Sequence, residues 1–588
     1  MNRTVMAQKQ MTLAKMAREQ PGHRFTNLYS LMHWKYWLDC AAQTVLARQG
    51  SSTAGVDGKT RDAFKDEYET QIVSLGNSLR TKTYQPHPVR RVYIPKADGK
   101  KRRLGIPALR DRIVQEALRA ILDPIYESDF MPDSYGFRKG RRTMDAIAVV
   151  MPLFNSRMKH FYVIEGDIRS YFETVHHRKL MSLLRRRIAD KDVLDLIWRF
   201  LKAGVMEGRL FARTDAGVPQ GGIISPLLAN VYLHELDRWA EERWNVSPQE
   251  RQKRRYHGGG SYRMVRYADD FVVVTNDGIT GVKATKEDIR DFLANELHLE
   301  LSESKTVITH VTEGFTFLGF HIQRVNPEGR WVVHLRPARE NKERVKRRIK
   351  ELTSRNWTWM NEYTRLTSLN AIVRGWCEYY KHTSLHSDLE EISRFTWHRY
   401  HQWLLAKHKG SRKRALITSK TRVIHHRTRW TATIRERGNT LEAYQWLPSP
   451  VELRRSRYMQ KGRDGFPHPY LKDEPADEDY PQWETGPAEH LYTDAIGTRS
   501  RPDEPLDIRE RMLRVKIRDG FVCANCGHAE HLRVHHTKGR RSHRPSDLKT
   551  LYLYCHHTQH GFNSGPNGEP DALKGASPVR REGWGKQP

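Results

Sequence analysis

The chain has 588 residues, and its 101 Lys and Arg residues outnumber 69 Asp and Glu residues, which gives a formal net charge of +32. A cationic excess of this size predicts a polyanionic partner and binding that weakens with salt. No apolar run approaches the roughly 18 residues of a membrane span, and the N-terminus lacks the apolar core of a secretory signal. We therefore expect no membrane partner and a cytoplasmic location.

The five cysteines are an odd number in a chain without a secretory signal, which argues against a disulfide framework. Cys40 and Cys377 lie in apolar, helical-looking surroundings and are predicted to be core thiols. The other three fall within the last 66 residues of the chain, a clustering that points to a separate module.

The N-terminal quarter is predicted to contain helices and one pair of strands. Residues 89–95 are typical of an edge strand, residues 96–100 of a turn, and residues 102–107 of the returning strand. Hydrophobic periodicity predicts helices at residues 24–49, 60–82 and 109–127.

Three aspartates accompany short apolar runs in the middle of the chain. Asp167 follows a buried-type strand at 161–164, while Asp269 and Asp270 are predicted to share the turn of a β-hairpin. Adjacent carboxylates repel each other unless cations neutralise them, and hard oxygen ligands select Mg²⁺. Either piece alone is more often ordinary turn chemistry. Together, three carboxylates from two strands can hold two metal ions roughly 3.5–4 Å apart, as phosphoryl transfer requires.

Between these acids, residues 217–230 read GVPQGGIISPLLAN, and residues 267–270 read YADD. This combination resembles the palm of a reverse transcriptase of the group II intron type, and the resemblance covers nearly the whole chain. It implies a multidomain α+β protein: a right-hand polymerase with fingers and an antiparallel palm sheet, a helical thumb called domain X, and a small ββα-metal HNH module. The βααβ order of elements at 162–335 independently suggests an α+β palm.

The resemblance also implies a polymerase site. Asp167, Asp269 and Asp270 would bind the two Mg²⁺ ions. Phe172 would be the steric gate that rejects a ribose 2′-hydroxyl, although a core position remains an alternative. Ser225 and Pro226 are interpreted as an N-cap followed by proline at the first helical position. The residues that would contact the dNTP or its pyrophosphate are Lys96, Arg102, Phe172, Gln220 and Lys305, with surface charge as the alternative for Lys96 and Arg102.

Residues 336–420 are predicted to be helical and strongly basic, with Trp and Tyr residues interleaved among the cations. About half of these aromatic side chains should belong to the core, and the remainder suit base stacking. Residues 374–380 match the RNA-binding thumb of maturases. The residues that the resemblance assigns to RNA contact are Arg374, Trp376, Tyr379 and Tyr380.

The last 66 residues resemble the HNH endonuclease of group II intron proteins. There, His536 would be the general base. The implied ligands of a divalent metal ion are His535, Asp547 and His556, and those of a structural zinc ion are Cys523, Cys526 and Cys555. Tyr552 stands where the family has a further cysteine, so the zinc site would lack its fourth matched ligand. Nuclease activity is therefore left open.

The predicted domains are an N-terminal extension (1–82), fingers and palm (83–335), thumb (336–425), a DNA-binding region with an acidic linker (426–505), and an HNH-like domain (506–588). The implied function is that of a bacterial group II intron reverse transcriptase and maturase. It would bind its intron RNA as a ribonucleoprotein, assist splicing, and copy the RNA into target DNA with dNTPs (retrohoming), associated with the nucleoid when it acts on DNA. The alternatives are an RNA-binding splicing factor without polymerase activity and a domesticated reverse transcriptase of a defence system.

Overall fold

The computed structural model describes residues 2–95, 101–155, 160–208, 210–212, 216–218, 221–256, 258–409, 413–424, 427–436, 439–446, 466–471, 532–536 and 548–552. They belong to two compact units that divide between Leu335 and Arg336, and the segment 466–471 belongs to the first unit. Within these ranges, none of the helices combines the length and the apolar character needed to cross a membrane.

The first unit opens with helices, and the helices predicted at 24–49 and 60–82 are each interrupted. Trp34 has an extended backbone (ψ 119°), so a new helix begins at Lys35, and a second break falls at Glu67. In chain order the elements are α1 (Asn2–Glu19), α2 (Tyr29–Met32), α3 (Lys35–Leu46), α4 (Arg61–Asp66), α5 (Tyr68–Arg80), β1 (Val89–Pro95), β2 (Lys101–Ile106) and α6 (Leu109–Glu127).

The remainder of the first unit alternates helices with short strands. Its elements are α7 (Thr143–Val150), β3 (Tyr162–Asp167), α8 (Tyr171–Thr174), α9 (His177–Leu184), α10 (Lys191–Lys202), β4 (Val205–Glu207), β5 (Leu210–Ala212), α11 (Ser225–Trp244), α12 (Pro248–Tyr256), β6 (Tyr262–Tyr267), β7 (Asp270–Thr275), α13 (Ile279–Leu297), β8 (Val307–His310), β9 (Phe315–Phe317), β10 (Phe320–Val325) and β11 (Val332–Pro337).

Helix α6 coincides with the predicted span of 109–127, but it is buried around nearly its whole circumference instead of along one face. Its buried polar residues are neutralised locally: Glu116 forms ion pairs with Arg48 and Arg119, and Arg119 also reaches Asp123. Such pairing is what allows charged side chains to remain in an apolar interior. The helix therefore lies at the centre of the first unit's core.

The strand at 89–95 was predicted to be an edge strand, and this is wrong. The sheet order is β2-β1-β4-β5, with β1 antiparallel to β2 and parallel to β4, so β1 lies inside the sheet. A second sheet has the order β6-β7-β3-β8, and each of its strand pairs is antiparallel. The α+β arrangement with an antiparallel palm sheet is therefore present. In its inner strand β7, residues 271–274 are all buried, which explains the unbroken run of Phe and Val.

Helix α11 begins at Ser225 with proline in its first turn, so Ser225 is the first helical residue and not the cap that the sequence predicted. The residue before it, Ile224, has helical dihedral angles and makes no side-chain cap. Cys40 and Cys377 are both buried, as predicted for core thiols.

The second unit is helical over the predicted span and continues into a sheet that the sequence analysis missed. Its elements are α14 (Arg339–Leu352), α15 (Glu362–Tyr379), α16 (Ser387–Lys407), α17 (Lys413–Lys420), β12 (Thr421–Ile424), β13 (Arg427–Glu436) and β14 (Asn439–Tyr444).

This sheet packs on the thumb helices. The buried Trp430 of β13 stacks near Trp397 (ring centroids 4.9 Å apart) and His401 (5.3 Å), and the amide of Asn370 donates to the carbonyl of Tyr444 at 2.6 Å. The predicted boundary after residue 425 falls between β12 and β13. The sheet and helices form one folding unit because they share this aromatic core.

Towards the C-terminus, β15 (Leu532–His536) pairs antiparallel with β16 (Leu548–Tyr552). His535 and His536 lie on β15. The other residues assigned to the HNH module, Cys523, Cys526, Asp547, Cys555 and His556, lie outside the described residues.

Candidate functional site

The sheet register brings two of the three predicted carboxylates together. Strands β3 and β7 pair so that Asp167 lies directly opposite Asp270. Asp270 is the first residue of β7 and pairs with Tyr267, so the hairpin turn consists of Ala268 and Asp269 and does not contain Asp270, as had been predicted. Residues directly opposite in a ladder share a face, with Cβ atoms about 4.5–5.5 Å apart. Asp167 and Asp270 therefore share one end of the sheet, with Asp269 beside them.

Burial and neighbouring acids raise the pKa of Asp269 and of Asp270. Burial, together with the charges of Asp269 and Asp167, raises the pKa of Asp270 to about 8. Burial also raises the pKa of Asp269, to which the charge of Asp167 adds. Arg102 and Lys305 act in the opposite direction on Asp269. Burial and neighbouring acids therefore disfavour the ionised forms of Asp269 and Asp270, and a bound cation would favour those forms.

Backbone hydrogen bonds position Lys305 beside Asp167. The amide of Ser302 donates to the carbonyl of Asp167 at 2.8 Å, and Leu301 forms a bridge with Ile168. The turn that follows places Lys305 Nζ at 2.9 Å from Asp167 Oδ2. The lysine side chain is 65% exposed, so the pair contributes little to stability. Its ammonium group remains accessible to an anionic substrate.

A buried guanidinium, that of Arg266, stabilises the hairpin turn at Ala268 and Asp269. Arg266 is fully buried and forms an ion pair with Asp237 through two hydrogen bonds. It also donates to Asn230 Oδ1 at 3.2 Å and to the carbonyl of Ala268 at 2.8 Å. Sequence reasoning missed this residue. The available signal was an arginine at the end of a strand whose other central residues are apolar, since such a charge must be paired when it is buried.

Gly136 also contacts the turn, and its role was missed as well. A Cβ at this position would lie 2.3 Å from the backbone nitrogen of Ala268. The neighbouring amide of Tyr135 donates to the carbonyl of Arg266 at 2.9 Å, and the Asn230 amide donates to the carbonyl of Gly136 at 2.8 Å. The segment 133–136 therefore holds the hairpin against α11, and only glycine permits this approach.

Phe172 lies on the short helix α8, next to the motif at 217–230. Its ring is partly exposed and makes edge contacts with Tyr171 (5.5 Å between centroids) and Phe137 (6.3 Å). Its carbonyl accepts a hydrogen bond from the amide of Val218 at 2.7 Å. Gly217 has φ +91°, and a Cβ there would lie 3.0 Å from the same carbonyl. The motif thus fixes the helix that presents Phe172.

The remaining predicted nucleotide contacts come from the fingers and the motif loop. Arg102 is exposed on β2, opposite Ile94. The loop lies against the same strand, because a Cβ on Gly221 would meet the carbonyl of Gly105 at 2.5 Å. Lys96 and Gln220 lie outside the described residues.

Comparison with known proteins identifies two domains in this chain. A family model for reverse transcriptase (RNA-dependent DNA polymerase) matches residues 94–322, and one for the group II intron maturase-specific domain matches residues 342–434. Protein YkfC of Escherichia coli K12 is 41% identical over 339 residues, which is 54% of this chain and 89% of YkfC. The chain belongs to the group II intron reverse transcriptase and maturase family.

Further relatives carry intron-related names. Group II intron-encoded protein LtrA of Lactococcus lactis is 34% identical over 358 residues, 53% of this chain and 59% of LtrA. The putative COX1/OXI3 intron 1 protein of Saccharomyces cerevisiae is 31% identical over 334 residues, 50% of this chain and 39% of that protein. The alignments thus span little more than half of LtrA and less than half of the yeast protein.

The carboxylates at this end of the sheet are oxygen donors of the type that Mg²⁺ prefers, but they are not arranged as a complete metal site. Among the described residues, no three Asp, Glu, His or Cys side chains are grouped so as to hold a metal ion. Asp167 instead binds the Lys305 ammonium. The carboxylate oxygens are donors that fit a hard divalent cation. The carboxylate of Asp167 would have to exchange its lysine partner for that cation.

The thumb places two of the predicted RNA-stacking residues in its core. Trp376 and Tyr380 are buried, with ring centroids 4.6 Å apart, so they cannot act as base platforms. Helical periodicity turns them towards the neighbouring elements. Arg374 and Tyr379, on the same helix, are partly exposed and remain candidates for RNA contact.

Two other tryptophans of the thumb are exposed. Trp357 and Trp359 precede α15, are 40% and 72% exposed, and have ring centroids 5.7 Å apart. Lys407 holds their loop by donating to the carbonyls of Thr358 (2.8 Å) and Met360 (3.0 Å). The buried guanidinium of Arg365 lies 5.6 Å from the ring of Trp357. A fixed loop with two outward indoles is a preformed apolar surface, here termed the Trp ledge.

Proposed function

We propose that this chain is an RNA-directed DNA polymerase that copies the RNA of a group II intron, and that as a maturase it binds that RNA and assists its splicing. The observation that supports this best is the register of Asp167 against Asp270, beside Asp269, in a chain that carries a reverse transcriptase domain. Bound at these carboxylates, Mg²⁺ would supply positive charge beside the primer 3′-hydroxyl and the leaving pyrophosphate.

The surrounding residues have complementary roles in this proposal. The accessible Lys305 ammonium forms an ion pair with Asp167. It would leave Asp167 and bind the negative pyrophosphate as the pyrophosphate departs. Arg102, exposed on the fingers strand, would bind the triphosphate of the incoming dNTP. The partly exposed Phe172 ring would occupy the space of a ribose 2′-hydroxyl. The chain's own cations thus compensate the charges that develop around the carboxylates.

The polymerase proposal is tested by extension of a DNA primer on an RNA template with Mg²⁺, comparing the wild type with Asp269→Asn. Losing a charged metal ligand should reduce the rate by about 100-fold or more, because such ligands contribute several kcal/mol of transition-state stabilisation. Asp291→Asn is the matched control, since this α13 carboxylate is 63% exposed. Unchanged extension by Asp269→Asn would instead favour a splicing factor without polymerase activity.

RNA binding is proposed for the outer face of the thumb. Helix α14 carries seven Lys or Arg residues, of which Lys342 and Lys346 are engaged by Asp388 and Glu391. By contrast, Arg344, Arg347 and Lys350 are exposed and form no ion pair with described residues. Exposed cations suit phosphates, and the Trp ledge suits unpaired bases. The match to a maturase-specific domain supports intron RNA over the partners of a defence system.

We further propose that the C-terminal region nicks the second strand of a DNA target, so that reverse transcription completes retrohoming. The family resemblance of residues 523–556 and the β15–β16 pair support this step. His536→Ala should abolish second-strand nicking by the purified ribonucleoprotein while primer extension persists, because His536 would activate the water of hydrolysis and lies outside the reverse transcriptase match at 94–322. Nicking at the wild-type rate would contradict the assignment. Zinc content measured by mass spectrometry decides whether Cys523, Cys526 and Cys555 bind the metal.

A further inference from the structure

A short segment far along the chain lies on the polymerase unit. Residues 466–471, with the sequence FPHPYL and here termed the clip, follow the thumb sheet in sequence but belong to the first compact unit. The clip contacts two places there, the C-terminal half of α6 and the loop 128–141. The clip therefore belongs to the polymerase unit although it follows the thumb in the sequence.

The first contact is a set of polar bonds to the end of α6. The Tyr470 hydroxyl donates to Asp123 Oδ2 at 2.6 Å, and the Lys139 ammonium lies 5.0 Å from the Tyr470 ring centroid. His468 Nε2 lies 3.1 Å from Ser128 Oγ. Asp123 also binds Arg119, in the buried charge network of α6. Burial raises the pKa of Asp123 while the Tyr470 bond opposes that rise, so the clip supplies a hydrogen bond to a carboxylate inside the unit.

The second contact is an aromatic and cationic stack. The Phe466 ring meets Tyr135 edge-on, with centroids 6.0 Å apart. The guanidinium of Arg141 lies 4.7 Å from the Phe466 ring and 5.4 Å from the Tyr135 ring. A cation held between two rings is a specific arrangement that contributes beyond the buried area. Phe466 thereby restrains both ends of the segment 135–141.

That segment is the one that supports the catalytic turn. The Tyr135 amide donates to the carbonyl of Arg266, the Arg266 amide donates to the carbonyl of Asp133, and Gly136 contacts Ala268. Phe466 and the catalytic hairpin therefore contact the same short stretch of chain. Each contact limits how far that stretch can move.

We propose that the clip is an intramolecular docking element that braces residues 133–141 and so positions the catalytic hairpin. Its residues are positioning residues that act through Tyr135 and Arg141 and do not touch the substrate. The docking surface on α6 and the loop 128–141 is specific for this segment, because it pairs a carboxylate with the Tyr470 hydroxyl and a guanidinium with the Phe466 ring.

Hydrogen exchange on the full-length chain, read by mass spectrometry without substrate, tests this proposal. In the double variant Phe466→Ala/Tyr470→Ala, the amides of Tyr135 and Arg266 should exchange roughly tenfold faster, since a stabilising contact has been removed from a local opening unit. Pro467→Ala, which alters the exposed residue of the clip, is the matched control and should leave both amides unchanged. Because no substrate is present, failure of this test is distinct from failure of the polymerase proposal.

A second measurement separates bracing from general destabilisation. Phe466→Leu removes the ring that contacts Tyr135 and Arg141 but keeps an apolar side chain at a partly exposed position, so it should preserve the thermal midpoint of unfolding yet still accelerate exchange at Tyr135. In primer extension, the double variant should lower kcat with little change in KM for the RNA template. Exchange at Tyr135 and Arg266 that equals the wild type, or that rises only together with global unfolding, would overturn the proposal.

Discussion

At the scale of single residues, the acids depend on neighbours that carry no chemistry themselves. Arg266 binds Asp237, Asn230 and the carbonyl of Ala268, so it joins the catalytic turn to α11. Removing one partner of a buried charge pair typically costs about 3–5 kcal/mol. The turn that carries Asp269 therefore depends on a buried guanidinium.

Gly136 gives the clearest residue-scale prediction. Gly136→Ala would place a methyl group 2.3 Å from the Ala268 nitrogen, so the turn must shift. A misplacement of about 1 Å can cost roughly 100-fold in rate. We expect primer extension to fall by about that factor while binding of RNA to the thumb is retained. Gly278→Ala is the control, because nothing lies within 4 Å of a Cβ there. Equal activity of the two variants would show that the turn tolerates displacement.

Individual site residues were predictable to different degrees. Asp167, Asp269 and Asp270 could be proposed from the sequence because their strand context and motif are local. Arg266 and Gly136 were missed because their roles come from contacts between segments 130 residues apart, as in the bond from Arg266 to Ser134 Oγ. Local pattern carries no information about such pairings.

At the scale of elements, periodicity alone could not tell which tryptophans face solvent. Helix α15 presents Trp376 to its core, whereas the loop before it exposes Trp357 and Trp359. The predicted helix is present, but Trp376 and Tyr380, which were predicted to contact RNA, are buried. The reason is that aromatic residues at helical spacing usually pack inward, and only the tertiary neighbours of the helix decide which do so.

Replacing an exposed tryptophan and replacing a buried one should have different effects on RNA binding and on stability. Trp359→Ala should weaken RNA binding by roughly 1–3 kcal/mol, the value of one stacked base, and leave the unfolding midpoint unchanged. Trp376→Ala should instead reduce the free energy of unfolding by about 3–5 kcal/mol, as large core truncations do. Filter binding of single-stranded RNA and denaturant unfolding measure the two effects. Loss of stability without loss of affinity in Trp359→Ala would remove the Trp ledge from the interface.

Elements were predicted best where their pairing is local. Helix α6 matched its expected bounds because a long periodic run specifies it without help from elsewhere. Strand β1 was misplaced at an edge because its parallel neighbour β4 begins more than a hundred residues later, at Val205. The sheet at 421–444 was missed because its inward Trp430 is surrounded by basic residues that hide the alternation.

At the scale of the whole molecule, the net charge of +32 should dominate affinity for nucleic acid. The logarithm of the RNA association constant should fall linearly with the logarithm of salt concentration, by about 0.7 per phosphate neutralised on a single strand. Arg347→Ala should reduce that slope by about one contact, because this side chain is exposed and free of ion pairs with described residues. A slope identical to the wild type would place α14 away from the RNA.

The pairing of β3 with β7 has a consequence for how this chain can vary. Side chains alternate between the two faces of a strand, so displacing either partner by a single position would send one carboxylate to the opposite face. The loops within the stretch that joins the two strands have no such constraint, unlike β6, which is itself paired in register with β7. Insertions should therefore accumulate between the acids and be excluded from within the two strands that present them.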